Sequence, residues 1–363
     1  MTIPAAPALD ANVRVWLDTH AAALDEGVSS PEDLTPKLGQ AGLFSIGVPS
    51  GLGGHGGSIV DAILSLAGVA SHSLTAAFVL WGQRTFIEYL LHSPNDALRE
   101  RQLPALLEGR HAGATGLSNA MKYLGGIESL QVQAADAPHG LSVSGKLPWV
   151  TNLRKGGFVV AAVAERQNGR APSIIAIPHD APGVSRSPDL DLVALRSSNT
   201  AAIDLVDVQL DASSVIDDDA LRFLSRVRPA FLGLQCGLSI GLARRCLSEA
   251  QRAADALSPE IDAIEHRLAL VTQRLLDGVA SNAFRVGAAP QFELRIELAE
   301  IASSAAALEI QAAGGRGYLR STRETNGPEV ARRWREAAFI PIVTPSLTQL
   351  KTELARHAAT TVA

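Results

Sequence analysis

A chain of 363 residues with 47% apolar and 19% charged residues is long enough for two or three domains, and its composition excludes a disordered protein. A formal net charge of −5 argues against a broad nucleic-acid surface, although Arg332, Arg333 and Arg335 form a local basic cluster that can meet one phosphorylated ligand. The N-terminus lacks a basic region followed by an apolar run, and no apolar stretch reaches about 18 residues, so we expect neither a secretion signal nor a membrane span. Cys236 and Cys246 lie about 15 Å apart along one predicted helix, which indicates unbridged core thiols of a cytoplasmic protein.

Residues 1–110 are helical in pattern, and we predict an N-terminal helical domain. Apolar residues recur every three or four positions over residues 8–24 and 30–43, and two further helices are predicted at 73–92 and 96–107. The glycine run at residues 51–57 does not have the G-x-G-x-x-G spacing, and no β-α-β unit follows it. It therefore predicts a loop, not a Rossmann nucleotide site.

From residue 111 the pattern changes to short β-rich runs separated by turn residues. Six or seven strands at this spacing, with no intervening helix, predict a middle domain at 111–215 that is a small antiparallel barrel or sandwich. Helical periodicity then returns in alanine-rich runs that suit close helix packing, so residues 216–363 are predicted to form a four-helix bundle. The predicted fold class is α+β, in the order helices, β domain, helices.

A glycine-rich turn follows the last long predicted helix. Gln311 is followed by Gly314, Gly315 and Gly317, whose backbone N–H groups can approach an anionic group because no Cβ intervenes. The alternative for this turn is an ordinary helix C-cap followed by a loop.

The segment from Leu308 to Lys351 resembles the C-terminal end of the acyl-CoA dehydrogenase family. In that family a Q-x-x-G-G-x-G-Y motif contacts the flavin dinucleotide, and an R-D-A-K…E-G-T run ends at the catalytic glutamate. The order of helices and strands is also that of the family, so the resemblance covers nearly the whole chain. It implies FAD as cofactor, the four residues of the glycine turn as dinucleotide contacts, and a flavin placed at subunit contacts of a dimer or tetramer. The glutamate position is Thr344 here, while Ser346 keeps a hydroxyl for the flavin.

Two segments of the β region resemble further flavin contacts of the family. The P-W-V-T-N segment is similar to W-I-T-N, which implies that Trp149 packs on the isoalloxazine and that Thr151 donates to the ring. On this segment alone, a core tryptophan beside a solvated threonine is an equal alternative. The G-L-S-N-A segment resembles L-T-E-P, and Ser118 keeps the hydroxyl that meets the flavin. The family's G-x-G-S-D and R-x-x-F-G segments have no counterpart, which puts the acyl substrate and the retention of FAD in question.

The catalytic base is missing from both of its usual places. Dehydrogenation beside a thioester needs a carboxylate near Cα, and the Thr344 hydroxyl is neither acidic nor basic near neutral pH. Some relatives carry the glutamate on the helix after the β domain, but Arg228 to Leu234 contains no acid. We interpret Glu336 as a helix-surface or ion-pair residue, and we leave the catalytic residue unknown. No metal site is predicted.

We therefore predict an FAD-dependent oxidoreductase that removes hydrogen from the α and β carbons of an acyl thioester, bound to CoA or to a carrier protein, with an atypical or displaced base. Its electron acceptor is electron-transfer flavoprotein or O₂. Two alternatives stay open. One is a flavin-dependent monooxygenase or oxidase on the same fold. The other is a non-catalytic chain of a hetero-oligomer, paired with a homologous chain that carries the base.

Overall fold

The computed structural model describes residues 9–124, 128–319 and 329–362, and its elements follow the predicted order. Five helices come first: α1 (Ala11–Asp25), α2 (Leu34–Gln40), α3 (Ile59–Ala70), α4 (Leu74–His92) and α5 (Asp96–Leu107). The β region contains β1 (Ala112–Thr115), α6 (Ser118–Leu124), β2 (Val132–Ala137), β3 (Gly140–Val150), β4 (Phe158–Arg166), β5 (Ser173–Pro178), β6 (Val184–Arg186), β7 (Ala201–Asp211) and β8 (Val215–Asp217). The last part contains α7 (Ala220–Ala253), α8 (Ser258–Ala280), α9 (Ala283–Val286), α10 (Ala289–Ala313), α11 (Val330–Phe339) and α12 (Leu347–Val362). The α+β fold class is confirmed.

The strands form one mixed sheet, which differs from the antiparallel barrel or sandwich that the sequence predicted. The strand order is β6-β7-β3-β2-β4-β5-β8, and β1 pairs with β4. Strand β4 pairs in parallel with β1 and β2 and antiparallel with β5. Its residues from Phe158 to Ala164 are all buried, as expected for a strand covered on both faces. The prediction also missed α6, which is too short to give a clear helical period.

Helix α7 packs against α3, α4, α8, α10 and α11. Gly233, Gly237 and Gly241 recur every four residues and form a stripe that faces α3. A Cβ built on Gly241 would lie 2.1 Å from the backbone oxygen of Ala67, so the two helices approach to backbone contact. Only glycine permits this distance.

Buried ion pairs join α11 to the N-terminal and C-terminal helices. Arg333 donates from Nε to Glu309 Oε2 on α10 at 3.0 Å, and Arg335 lies 2.7 Å from Asp25 on α1. Arg332 pairs with Glu336 at 2.7 Å within α11. The three arginines are therefore neutralised inside the chain. These carboxylates offset the positive charge that the sequence offered to a phosphorylated ligand, and the sequence alone did not show them.

Glu336 is fully buried, so its interpretation as a surface residue is wrong and its interpretation as an ion-pair residue is correct. Burial raises the pKa of Glu336 to about 7, the guanidinium of Arg332 opposes this shift, and the carboxylate of Asp25 adds to it. One oxygen of Glu336, Oε2, has no hydrogen-bond partner in the described part of the chain. The carboxyl is therefore a source of pH-dependent stability.

The structure agrees with the prediction that both cysteines are core thiols. Cys236 and Cys246 are buried and unbridged, and burial raises the pKa of the Cys236 thiol to about 12. Within the described residues, no helix is long and apolar enough to cross a bilayer.

We expect Gly241→Ala to destabilise the protein by about 1–3 kcal/mol, because the new methyl overlaps the Ala67 carbonyl and overpacks the helix contact. Alanine has the higher helix propensity, so without this overlap the sign would be opposite. Urea unfolding measures the change. Gly287→Ala is the control, since a Cβ built there meets no atom within 4 Å. An equal or greater stability of Gly241→Ala would contradict the close helix contact.

We expect Glu336→Gln to flatten the fall in stability as the pH rises. Because the folded-state pKa of about 7 exceeds the ordinary value of 4.5, the folded protein holds an extra proton between these values, and wild-type stability falls as the pH rises through that window. The amide does not titrate, so the variant lacks this fall. The measurement is the free energy of unfolding at pH 5 and pH 7.5. Glu297→Gln, which removes an exposed pair with Arg267, should keep the wild-type slope.

Candidate active site

Two of the predicted site positions lie in direct contact. Ser118 begins α6 and Thr344 lies in the loop before α12, yet their hydroxyl oxygens are 3.2 Å apart across 226 positions of sequence. Both side chains are half-buried. The position that the family resemblance assigns to the base thus presents a neutral hydroxyl beside a second hydroxyl.

The end of β3 places an exposed aromatic ring next to a buried hydroxyl. Trp149 is 59% exposed, whereas Thr151, just after the strand, is buried with its hydroxyl 2.7 Å from that of Thr200. Helix α4 runs against this strand end, since a Cβ built on Gly82 would lie 3.1 Å from Thr151 Cγ2. The tryptophan is therefore not the core residue of the alternative interpretation, and the threonine is not solvated.

Asn152 fixes this strand end in place. Its backbone adopts the left-handed conformation with φ of 61°, and its side chain is fully buried. The amide Nδ2 donates to Gln83 Oε1 at 2.8 Å and to the Gly113 backbone oxygen at 2.9 Å, and Oδ1 accepts from the Thr35 hydroxyl at 3.0 Å. The sequence pattern did not indicate this role. Asparagine tolerates left-handed backbone better than most residues, and this was the sequence signal that could have indicated a special position at residue 152.

A buried arginine supports the loop that carries Thr344. Arg295 of α10 donates from Nε to Gln235 Oε1 of α7 at 2.8 Å and from Nη2 to the Ile340 backbone oxygen at 2.7 Å. Gln235 Nε2 in turn donates to the backbone oxygen of Thr344 at 3.0 Å. Among the described residues no carboxylate lies within ion-pair distance of Arg295, and burial lowers its pKa. This pair was also missed, although a Gln and an Arg inside long apolar helices are a recognisable signal.

Ser346 serves as the N-cap of α12. Its hydroxyl accepts from the Gln349 backbone N–H at 3.4 Å, and its own N–H donates to Gln349 Oε1 at 2.7 Å. This reciprocal pair satisfies two backbone donors at the start of the helix. The predicted flavin contact of Ser346 stays a prediction beside this capping role.

The glycine turn after α10 is open on its outer side. Gln311, Gly314 and Gly315 are exposed, and a Cβ built on either glycine meets no heavy atom within 4 Å. Gly314 has φ of 59°, which favours glycine, whereas Gly317 is buried and a Cβ there would lie 2.9 Å from that of Ala313. The left-handed φ therefore explains the glycine at 314, and close packing explains the glycine at 317. At Gly315 no side chain blocks a ligand from the backbone N–H.

A cavity of about 560 Å³ lies beside this turn. Its charged lining contains arginines and carboxylates in equal number, namely Arg245, Arg252, Arg316, Arg333, Asp18, Glu249, Glu309 and Glu329. Several of these are paired with each other, for example Arg245 with Glu249 at 2.8 Å. The cavity is polar but close to neutral.

The predicted site residues form two separate groups in one chain. Arg295 is the residue of α10 that contacts the segment leading to Thr344, through the Ile340 backbone oxygen. Gln311 lies 16 residues further along the same helix, which corresponds to a distance of about 24 Å. Ser118 and Thr344 belong to the first group, and the glycine turn belongs to the second. Thr151 lies at the end of β3 against Gly82 of α4. A ligand that contacts both groups of one chain would have to extend along most of α10.

Comparison with known proteins agrees with this architecture. Residues 8–110 match the family described as Acyl-CoA dehydrogenase, N-terminal domain. A probable acyl-CoA dehydrogenase of Bacillus subtilis is 27% identical over 248 residues, which is 65% of this chain and 62% of that protein, so the match spans less than two thirds of the relative.

Two solved structures share the fold. Butyryl-CoA dehydrogenase from Megasphaera elsdenii has a TM-score of 0.80 at 17% identity, over 96% of this chain and 95% of that one. A prolyl acyl carrier protein oxidase has a TM-score of 0.81 at 16% identity, over 97% of this chain and 100% of that one. At these identities the likeness shows the fold alone.

We expect Gln235→Leu to destabilise the protein by about 2–3 kcal/mol, because it leaves a buried guanidinium donor of Arg295 without its acceptor. The double variant Gln235→Leu/Arg295→Met removes both polar partners and should lose less than the sum of the two single variants. The free energy of unfolding in urea measures all three. Additive losses would show that the two side chains do not act as a unit.

Proposed function

Because this chain belongs to the acyl-CoA dehydrogenase family, we propose that it binds FAD and oxidises an acyl thioester, with the α-proton removed by a group other than residue 344. The observation that carries this proposal is the grouping of Ser118, Thr344 and the end of β3 around α4 and α7. One chain thus carries an exposed aromatic ring at the strand end next to α4, and a pair of hydroxyls on a loop that α7 supports.

The residues present suit the isoalloxazine end of FAD. A flavin ring needs an apolar wall with a few fixed hydrogen-bonding groups, since those groups set its electron affinity. The half-exposed ring of Trp149 offers the wall, and the hydroxyls of Thr151 and Ser118 offer the polar contacts. FAD, when bound, would accept the hydride from the β carbon.

The side chains of this chain would then position and shield the substrate. The Thr344 loop is held by its backbone, through Gln235 and Arg295, so its hydroxyl is fixed relative to Ser118. That hydroxyl can donate a hydrogen bond to a thioester carbonyl and thereby favour loss of the α-proton. It cannot itself accept that proton at neutral pH.

The dinucleotide end of FAD would be held by the glycine turn of a second copy of the chain. The separation of about 24 Å along α10 places the turn away from the Thr344 loop of the same chain. The open backbone at Gly314 and Gly315 leaves room for a pyrophosphate to approach. The proposed assembly is therefore a homo-oligomer, with electron-transfer flavoprotein or O₂ as the acceptor.

A flavin-dependent oxidase or monooxygenase is the second candidate. The neutral Thr344–Ser118 pair favours the monooxygenase, because a flavin that is reduced by a separate reductant reacts with O₂ without a carboxylate beside an α carbon. The structural neighbour that is named as a carrier protein oxidase shows that the fold accommodates such chemistry in another protein.

The first test is the absorption spectrum of the purified protein, followed by titration with FAD. We expect a flavin band and near-stoichiometric binding, and Trp149→Ala should weaken binding about tenfold because the ring loses its apolar cover. Trp149→Phe keeps an aromatic face and should stay near wild type. A colourless protein that does not take up FAD would contradict the proposal and would favour the non-catalytic chain.

The second test separates dehydrogenase from oxidase chemistry. In the FAD-loaded protein, Thr344→Glu should speed anaerobic bleaching of the flavin by an acyl thioester at least tenfold, because a carboxylate then lies at the α-proton. Thr344→Gln has the same size without the charge and should give no increase. Unchanged bleaching in Thr344→Glu would contradict a place for residue 344 at the α-proton, and thioester-dependent O₂ consumption by wild type would favour the oxidase.

A further inference from the structure

Arg295 differs from the other buried arginines of the described residues, because it alone has no carboxylate partner. The other three form ion pairs, namely Arg84 with Glu88, Arg332 with Glu336 and Arg333 with Glu309. Arg295 is 0% exposed, and its Nη1 has no hydrogen-bond partner in the part of the chain that the structure describes. Since arginine stays protonated even when it is buried, the core holds an uncompensated positive charge at this point.

The groups around Arg295 in the described chain do not cancel its charge. Gln235 and the Ile340 carbonyl accept its hydrogen bonds, and both are dipoles without net charge. The titratable group whose charge bears on the pKa of Arg295 is Cys236 of α7. Burial raises the pKa of that thiol to about 12, so it stays neutral near pH 7. The field of the guanidinium therefore extends into the surrounding protein.

Two hydrogen bonds connect this charge to the Thr344 loop. Arg295 Nε donates to Gln235 Oε1 at 2.8 Å, and Gln235 Nε2 donates to the Thr344 backbone oxygen at 3.0 Å. Because the oxygen and nitrogen of one amide are only about 2.3 Å apart, Arg295 Nε lies within about 8 Å of the Thr344 backbone oxygen. The hydroxyl of the same threonine meets that of Ser118 at 3.2 Å. A ligand beside this hydroxyl pair would thus lie within reach of the charge.

The neutral side chain at position 344 leaves the field of Arg295 in place. A carboxylate at this position would have opposed it at a ligand beside the loop, whereas a threonine adds no charge. At a separation of about 10–12 Å and an effective dielectric constant of about 20, one unit charge changes the ionisation constant of a neighbouring group about tenfold. An effect of this size is relevant to a reaction that begins with loss of a proton.

We propose that Arg295 is a positioning residue whose uncompensated charge stabilises negative charge beside the Thr344–Ser118 pair, so that the site favours the enolate form of a bound acyl thioester. This inference rests on the proposed function. In the ionisation, the α carbon gives its proton to the solvent, and the electron pair of the broken C–H bond becomes the enolate charge. The field of Arg295 thereby acidifies the α-proton in a site that has no carboxylate at residue 344.

The experiment titrates a bound probe and needs no turnover. The probe is the acetoacetyl-pantetheine thioester, because pantetheine is shared by CoA and carrier proteins and because a β carbon that is already a carbonyl has no hydride to give. Calorimetry shows binding to the purified protein with FAD added, and the ultraviolet spectrum distinguishes the enolate from the keto form at each pH. In wild type the bound probe should ionise at lower pH than the free probe.

Arg295→Gln should weaken this ionisation about tenfold, since it removes the charge and keeps a hydrogen-bonding amide. Arg295→Lys keeps the charge and should stay within threefold of wild type. If Arg295→Gln does not fold, Gln235→Leu/Arg295→Met is the second charge-free variant, and it should show the same weakening.

The double variant Arg84→Gln/Glu88→Gln is the matched control. It also removes a buried guanidinium, but together with its carboxylate partner, so the net charge of the core does not change. The bound probe should therefore ionise as it does in wild type.

The outcomes separate this inference from the proposed function. Wild-type ionisation of the probe in a folded charge-free variant would overturn the role of Arg295, while acyl-thioester binding would stand. An equal weakening in Arg295→Lys or in the Arg84/Glu88 control would also overturn it, because hydrogen bonding or general loosening would then explain the effect. If neither wild type nor any variant binds the probe, the proposed acyl-thioester function fails, and this inference fails with it.

Discussion

The close contact of α3 with α7 is the constraint on which the candidate site depends. The glycine stripe brings α7 to backbone distance from α3, at the point where a Cβ on Gly241 would overlap the Ala67 carbonyl. The position of α7 in turn sets which residues the side chains on its other faces can contact. Gln235 reaches the Thr344 loop, and Phe231 reaches Trp81. Loss of this contact would move Phe231 and Gln235 together, and with them the support of the Thr344 loop.

Buried charge is the second feature that organises the molecule. An isolated buried guanidinium or carboxylate is costly, and it is tolerated only where hydrogen bonds replace water. Arg333 has Glu309, and Arg332 has Glu336. Arg295 has backbone and amide oxygens instead of a carboxylate. Because it holds the loop through backbone atoms, the loop conformation does not depend on the side chain at position 344. A threonine can therefore stand where the family resemblance assigns a glutamate, without loss of the loop.

The parts proposed for function are distributed along the length of α10. Its first half positions the Thr344 loop, and its C-terminal end carries the glycine turn beside a polar cavity. This separation explains why a dinucleotide site would need a second copy, whereas the acyl site would lie within one chain.

The sequence by itself determined the fold class, the absence of a carboxylate at position 344, and the residues around Trp149 and the glycine turn. These follow from local period, turn chemistry and resemblance, which depend on near neighbours in the chain. Only the tertiary structure decided which charges are buried, since the partners of Arg335 and Glu309 are distant in sequence. It also decided the parallel pairing of β4, because that pairing depends on where β1 arrives after five helices. The distance between the Thr344 loop and the glycine turn, and the support of that loop by Gln235 and Arg295, likewise depend on helix packing and have no local sequence signal.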